Sequence, residues 1–368
     1  MSQDIATRRQ VHVLVVDDSA FMRTALSRMI ASESGFEVIA TACSGSDALE
    51  KIASLNPDVV TLDIEMPGLN GLQTLRCIMN QFPRPVIMVS AVTEEGAEQT
   101  FDALAAGAFD YVPKKLSSTS LDIQHIRQDL VAKIRTAAQS RKSRPCDVFS
   151  RKPPQSSLLE TWDTVSAIAP AIVALGTSTG GPKALQEILP LFPRDFSVPI
   201  LIVQHMPPGF AGPFAQRMNA LCSVTVREAT HGEPIQPGVV YIAPAGMHMT
   251  VGRPSDSRAI ICLDTHPLHP HSEDRLHVPS VDVLMKSVAE AFRSLALGVI
   301  LTGMGSDGAE GMKAIHRLGG LTIGQDEASC TVYSMPRACA ELGVLSRVVS
   351  LPDIPGQILQ ATQYRRRA

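Results

Sequence analysis

Aromatic side chains make up only 4% of the 368 residues, with a single tryptophan. No apolar run approaches the ~20 residues that a membrane-spanning helix needs. The opening "MSQDIATRRQVHVLVVDDSA" has no long apolar core before its first acidic pair, so neither a secretory leader nor a membrane insertion is read there and the cytoplasm is the expected compartment. No sign of charge is in excess: 33 Lys and Arg stand against 36 Asp and Glu, for a net charge of -3. That balance excludes the basic surface of a nucleic-acid binder. The seven cysteines are odd in number and scattered, and no two are spaced C-x-x-C. Reduced thiols are expected, with neither disulfides nor a cysteine zinc site. Neither a repeat nor a sustained heptad is visible.

What is present is alternation. From residue 11 to about 140, short β-branched runs ("VHVLVV", "FEVIATA", "DVVTLD", "PVIMVSA", "FDYVP") alternate with helical patterns. In "SAFMRTALSRMIAS", for example, Phe21, Ala25 and Met29, and Met22, Leu26 and Ile30, recur at helical spacing. Such alternation predicts an α/β fold, a five-stranded parallel sheet with helices on both faces. Residues 141 to about 166 break the pattern with Pro-Pro, serines and clustered Arg and Lys, as a linker does. The basic cluster there reads as part of a solvated tether; an acidic partner is the competing use. After "AIVALG" the alternation resumes and predicts a second, larger α/β domain, mostly parallel, with an antiparallel portion around residues 223 to 263.

In the first domain, Asp17 and Asp18 follow strand one and Asp63 ends strand three. In an open parallel sheet those strand ends meet at one edge, so three carboxylates converge. Such a cluster is costly without a cation, and hard oxygen donors suit Mg²⁺. Ser90 ends strand four and Lys114 follows strand five, which supplies a hydroxyl and an ammonium for a phosphoryl group on Asp63. Helix caps and turn residues are the plainer use of single aspartates, but three at successive strand ends favour a site. "VLVVDDSAFMR", "LDIEMPGLNG", "VIMVSA" and "DYVPKK" resemble the receiver domain of two-component response regulators. The resemblance implies Asp63 as phosphoacceptor, and Asp17, Asp18 and Asp63 with the Glu65 backbone carbonyl as Mg²⁺ ligands. It also implies Ser90 and Lys114 on the phosphoryl oxygens and Tyr111 as the switch aromatic. Lys115 departs from the proline usual after the lysine.

In the second domain, "GTSTG" fits G-x-S-x-G, a strand-to-helix turn that exposes the Ser178 oxygen; a helix-capping turn would look the same. A serine needs a base, and the base a third group to hold it. His205 ends the apolar strand "ILIVQHM", and Asp307 lies in the glycine-rich loop "GMGSDG" after another strand. All three are expected at strand carboxyl ends of one sheet, with the Met304 amide facing a tetrahedral oxyanion. Two other readings remain. The hydrolase order serine, acid, histidine would use Asp282 and His316. "GMGSDG" is also G-x-G-x-x-G, with Asp326 and Glu327 where a ribose-binding acid belongs, although Asp307 would then repel a pyrophosphate. His266, His269, His271 and His277 read as a solvated loop, with metal binding the competing use.

"GTSTGGPKAL", "VQHMPPGF", "YIAPAGMHM", "PSVDVLMKSVA", "LTGMGSDGAEGM" and "QDEASCTVYSMPRA" together resemble the catalytic domain of the chemotaxis protein-glutamate methylesterases, the CheB family. With the receiver in front, the resemblance divides the chain into a receiver (1–138) of the flavodoxin-like, doubly wound five-stranded kind, a linker (139–166) and a Rossmann-like α/β catalytic domain (167–368). It implies a phosphorylation-activated esterase acting on glutamate γ-methyl esters of methyl-accepting chemotaxis receptors, with glutamine deamidation left open. Ser178, His205 and Asp307 would form its triad and the Met304 amide its oxyanion hole. A chemotaxis histidine kinase is the implied phosphodonor. Mg²⁺ is implied for the receiver and no cofactor for the esterase. Val278 and Ser334 depart from the family's usual arginine and glycine. A binding-only regulator is the non-enzyme alternative.

Overall fold

The structure, a computed structural model, describes residues 10–91, 93–114, 120–143, 169–253, 258–265 and 278–364. Lys115, His266, His269, His271, His277 and most of the expected linker lie outside the described residues. The chain divides into two compact units, Met1–Arg151 and Lys152–Ala368. No helix among the described residues is long and apolar enough to cross a membrane.

In the first unit, strands β1 (Val11–Val16), β2 (Phe36–Ala42), β3 (Val59–Asp63), β4 (Val86–Ser90) and β5 (Asp110–Pro113) alternate with helices α1 (Ala20–Ala31), α2 (Gly45–Leu55), α3 (Gly71–Gln81), α4 (Glu94–Ala105) and α5 (Ser120–Ser143). The sheet order is β2-β1-β3-β4-β5 and every pairing is parallel. Every residue of β3 and β4 is buried, as strands covered on both faces require. Helices α1 to α4 start where a polar side chain accepts a first-turn N–H: Ser19, Ser44, Asn70 and Thr93. At α3, Gln73 reaches back to complete a capping box. Leu26, Met29 and Ile30 form the buried face of α1, whereas Phe21, in its first turn, stands outside that face and is exposed. Helix α5 runs past residue 139 because Ile134, Ala137 and Ala138 keep its inner side in the core. Chain order reverses between β1 and β3, which opens a crevice beyond their carboxyl ends.

The second unit comprises β6 (Ile172–Thr177), α6 (Gly181–Ile188), β7 (Ile200–Gln204), α7 (Ala211–Leu221), β8 (Thr225–Glu228), β9 (Val239–Ile242), β10 (His248–Gly252), β11 (Ile260–Asp264) and α8 (Val281–Phe292). There follow β12 (Ala296–Ile300), α9 (Ala309–Arg317), β13 (Leu321–Gln325), α10 (Ser334–Glu341), β14 (Arg347–Val349) and α11 (Ile354–Ala361). Seven strands form one parallel sheet in the order β14-β13-β12-β6-β7-β9-β8. The antiparallel portion is smaller than expected: it is the β10/β11 ribbon, while β8 and β9 extend the parallel sheet. The reason is burial. Val239 to Ile242 are covered throughout and pair with β7 on one side and β8 on the other, so the apparent single run to Val251 breaks after Ile242. Val281, Leu284, Met285 and Val288 of α8 pack with Met312 and Ile315 of α9 and with Ala174, Val203 and Ile300 of the sheet. Chain order reverses between β6 and β12, so the loops after them border one crevice.

Candidate functional site

The crevice of the second unit holds all three residues of the expected triad. Ser178 directly follows β6, and its backbone N–H donates to the Thr302 carbonyl beyond β12 at 3.1 Å. The chain then turns through Gly180 at φ +79°, a left-handed conformation suited to glycine, into α6. The loop after β12 presses on the serine: a Cβ on Gly303 would lie 3.0 Å from Ser178 Cβ. Met304 is the next residue of that loop. Thr302 ties the turns together, its hydroxyl donating to the Thr179 carbonyl at 2.9 Å and accepting from Val332 N at 3.0 Å.

His205 follows β7, one strand away. Its Nε2 lies 2.8 Å from Asp307 Oδ2, and both side chains are largely shielded from solvent. Asp307 is further held by the start of α8: Val281 N donates to Oδ2 at 2.8 Å, and Asp282 N and the Ser280 hydroxyl donate to Oδ1, each at 2.9 Å. Burial alone would raise the acid's pKa, but the His205 contact and the Asp282 and Val281 amides pull it down to about 2. Asp307 is therefore an anion across the physiological range. That suits a group that holds an imidazole through protonation.

The competing assignments lose their residues. His316 is exposed in the last turn of α9, and Asp282 accepts from Gly308 N and Gly311 N, at 2.9 and 2.6 Å. Asp326 accepts from the backbone and hydroxyl of Ser329 and Glu327 from Arg337 at 3.2 Å, while Asp307, held beside His205, keeps its negative charge in the loop where a pyrophosphate would have to sit, which disfavours the dinucleotide fingerprint. Val278 is exposed, and Ser334 opens α10.

Gln204, the last residue of β7, escaped the sequence reading. Its side chain is 3% exposed, and Nε2 donates to the carbonyls of both Ser178 and His205, each at 2.9 Å. The signal was a polar residue inside an apolar strand run, which must find partners once buried. His248 also went unremarked; it is buried on β10, where Nδ1 accepts from Ser280 N at 3.2 Å.

In the first unit, the carboxylate oxygens of Asp17, Asp18 and Asp63 lie within 4.8 Å of one another. Asp17 and Asp63 are buried and Asp18 is exposed. Lys114 Nζ sits 2.6 Å from Asp63 Oδ2 and 3.1 Å from Asp17 Oδ2, and Glu65 N donates to Asp63 Oδ1 at 3.2 Å. One ammonium among three carboxylates leaves excess negative charge on hard oxygens, a donor set that fits Mg²⁺. Burial pushes the Asp63 carboxyl up to about 6, Lys114 opposes the rise and Asp17 adds to it. Burial also disfavours the Lys114 ammonium, yet its contacts with Asp63 and Asp17 prevail and raise its pKa. The Ser90 hydroxyl turns to the carbonyls of Ala91 and Gly96 and accepts from Thr100 at 2.7 Å. Tyr111 is buried, with the Lys133 ammonium 5.4 Å from its ring centre.

Residues 173–358 match the model of the CheB methylesterase family, and residues 13–125 that of the response regulator receiver domain. The chain is 45% identical to a protein-glutamate methylesterase/protein-glutamine glutaminase 2 of Nitratidesulfovibrio vulgaris, covering 95% of this chain and 98% of that one. It is 43% identical to a protein of the corresponding name, numbered 1, from Geobacter sulfurreducens, covering 95% and 97%. Among solved structures, the CheB methylesterase catalytic domain of Thermotoga maritima is 36% identical (TM-score 0.49; 52% of this chain, 99% of that one). The response regulator domain of Thermotoga maritima CheB is 48% identical (TM-score 0.33; 36% and 98%).

Proposed function

The chain belongs to the CheB methylesterase family and carries a response regulator receiver domain ahead of the catalytic one; on that premise we propose that it is a phosphorylation-activated serine hydrolase of glutamate γ-methyl esters on chemoreceptors. The observation that carries this reading is the 2.8 Å contact between His205 Nε2 and Asp307 Oδ2 in the crevice that Ser178 borders. Ser178 Oγ attacks the ester carbonyl. Its proton passes to His205 at Nδ1, because Nε2 is held by Asp307. The Met304 amide faces the oxyanion. The imidazolium then returns the proton to the departing methoxide, and methanol leaves a glutamyl ester on Ser178. Water, deprotonated by His205, attacks that ester and releases glutamate and the serine. Glutamine deamidation follows the same steps with ammonia as the leaving group, which accords with the double name of the relatives.

On the receiver, Asp63 takes the phosphoryl group from a histidine kinase. Asp17, Asp18, Asp63 and the Glu65 carbonyl would hold Mg²⁺, which shields the attacking carboxylate from the anionic donor. Lys114 contacts the phosphoryl oxygens, and Ser90 joins it by giving up its bonds to Ala91 and Gly96. Tyr111 is the aromatic whose placement answers that movement. The receiver takes residues 1–138, the linker 139–166 and the catalytic domain 167–368, and the work is done in the cytoplasm. The test treats the full chain with a fluorophosphonate and, separately, measures methanol release from methylated receptor with and without a small phosphodonor. Labelling at Ser178 and faster release with the donor are expected; labelling at another serine alone would reject the mechanism.

A further inference from the structure

Asp282 remains unused by the mechanism, although it is largely buried beside the triad. Its surroundings are unusual for a helix acid. The N-cap position of helix α9 is Gly308, which offers no side chain to cap the helix. Neither Gly308 nor Gly311 has room for one: a Cβ on Gly308 would lie 2.8 Å from Val281 Cγ1, and one on Gly311 2.5 Å from Met285 Cβ. These close approaches let α8 supply the missing cap. Asp282 Oδ1 accepts from Gly308 N at 2.9 Å and from Gly311 N at 2.6 Å. In return Asp307, from the loop leading into α9, accepts from Val281 N and Asp282 N at the start of α8. A carboxylate of α8 thus caps the start of α9, and one from the loop before α9 caps the start of α8.

We infer that Asp282 is a positioning residue of the esterase, which latches the Met304–Asp307 loop to α8 so that Asp307 meets His205 and the Met304 amide meets the oxyanion. This rests on the proposed esterase reading. Four backbone or side-chain donors hold Asp307 itself, but the backbone that carries it is anchored at Gly308, the adjacent residue. Without the latch, Asp307 would have to hold both its own loop and the histidine. What the latch requires is an acceptor oxygen, not a charge. Burial, with Asp307 nearby, already pushes the Asp282 carboxyl up to about 6 against the pull of the two glycine amides. An asparagine can present the same oxygen.

The experiment compares the native full chain with Asp282→Ala and Asp282→Asn, measuring methyl-ester turnover, KM, the rate of fluorophosphonate labelling at Ser178, and Tm. Asp282→Ala is expected to lower kcat about 10- to 100-fold, as a displacement near 1 Å does. KM should change little and labelling should slow in step. Asp282→Asn should recover most of the lost turnover. If Asp282→Ala is recovered only unfolded, Asp282→Ser, whose hydroxyl falls short of the two amides, takes its place. An alanine variant that lowers Tm but turns over like the native chain would show a purely structural cap and overturn the inference, as would an asparagine variant as slow as alanine. A native chain that neither labels at Ser178 nor releases methanol would reject the esterase reading itself, and the positioning role with it.

Discussion

Asp63 and Asp307 are both aspartates at the carboxyl end of a parallel sheet, both shielded from water, and they are driven in opposite directions. Asp63 rises to about 6 and Asp307 falls to about 2. Burial pushes both upward, so burial does not decide the outcome. The donors do. Asp63 receives one backbone N–H and the Lys114 ammonium, and shares its crevice with Asp17. Asp307 lies at the start of α8, where two backbone amides, a hydroxyl and His205 converge on it. The contrast matches the proposed roles. A phosphoacceptor needs a carboxylate that a metal can engage, whereas an acid that orients a histidine must remain charged through the catalytic cycle.

The largest effects should come from the fully satisfied side of this contrast. Ser178→Ala and His205→Ala should each lower ester turnover by ~10⁴-fold or more, and the double variant should be little worse, because the residues act as a unit. Asp307→Asn should cost ~10³- to 10⁴-fold, since an amide that presents N–H₂ to Nε2 favours the wrong tautomer. Receptor demethylation assays check all four. On the other side, phosphate from a small phosphodonor should appear on Asp63 only with Mg²⁺, and should fall to background in Asp17→Asn/Asp18→Asn. Mass spectrometry locates the phosphate, and its appearance on another aspartate would reject the assignment.

Gln204→Met should give a smaller loss, about tenfold in kcat with KM nearly unchanged, by freeing the Ser178 and His205 carbonyls that Nε2 bridges. Steady-state kinetics separates the two constants.

The smallest effect, on stability, sharpens the comparison of the two acids most directly. The Asp63 pKa in the fold stands above its ordinary 3.8, so its stabilising contribution is complete below pH 3.8 and is lost as pH rises through about 6. Asp307 lies below 3.8, so its contribution is complete above that value and is lost as pH falls toward about 2. At pH 7 in EDTA, Asp63→Asn should therefore raise the Tm of the receiver transition, whereas Asp307→Asn should lower that of the catalytic transition. Each shift corresponds to ~1–3 kcal/mol. At pH 4 most of the Asp63→Asn gain should vanish. Calorimetry of the full-length variants at the two pH values reads both signs.

Two kinds of residue separate what was legible from what was not. Asp17, Asp63, Ser178 and His205 each follow or end an apolar β-branched run, and a parallel sheet gathers such ends at one edge, so their convergence follows from local pattern and topology. The five receiver strands and most of the catalytic ones could be read for the same reason. Asp282 follows from neither rule, and for Gln204, which ends its apolar run, the pattern gives the place but not the partners. Gln204 matters because two carbonyls from neighbouring strand ends come within reach of one amide, and Asp282 because two glycines let α9 approach α8. The opposite shifts of Asp63 and Asp307, and the choice of Nε2 as the nitrogen facing Asp307, have the same origin. By itself the sequence determined which elements form and which edge of each sheet carries the reactive groups, because these depend on periodicity and chain order. Only the tertiary structure decided which donors reach which carboxylate, because hydrogen bonds act over about 3 Å while partners such as His205 and Asp307 lie 102 residues apart along the chain.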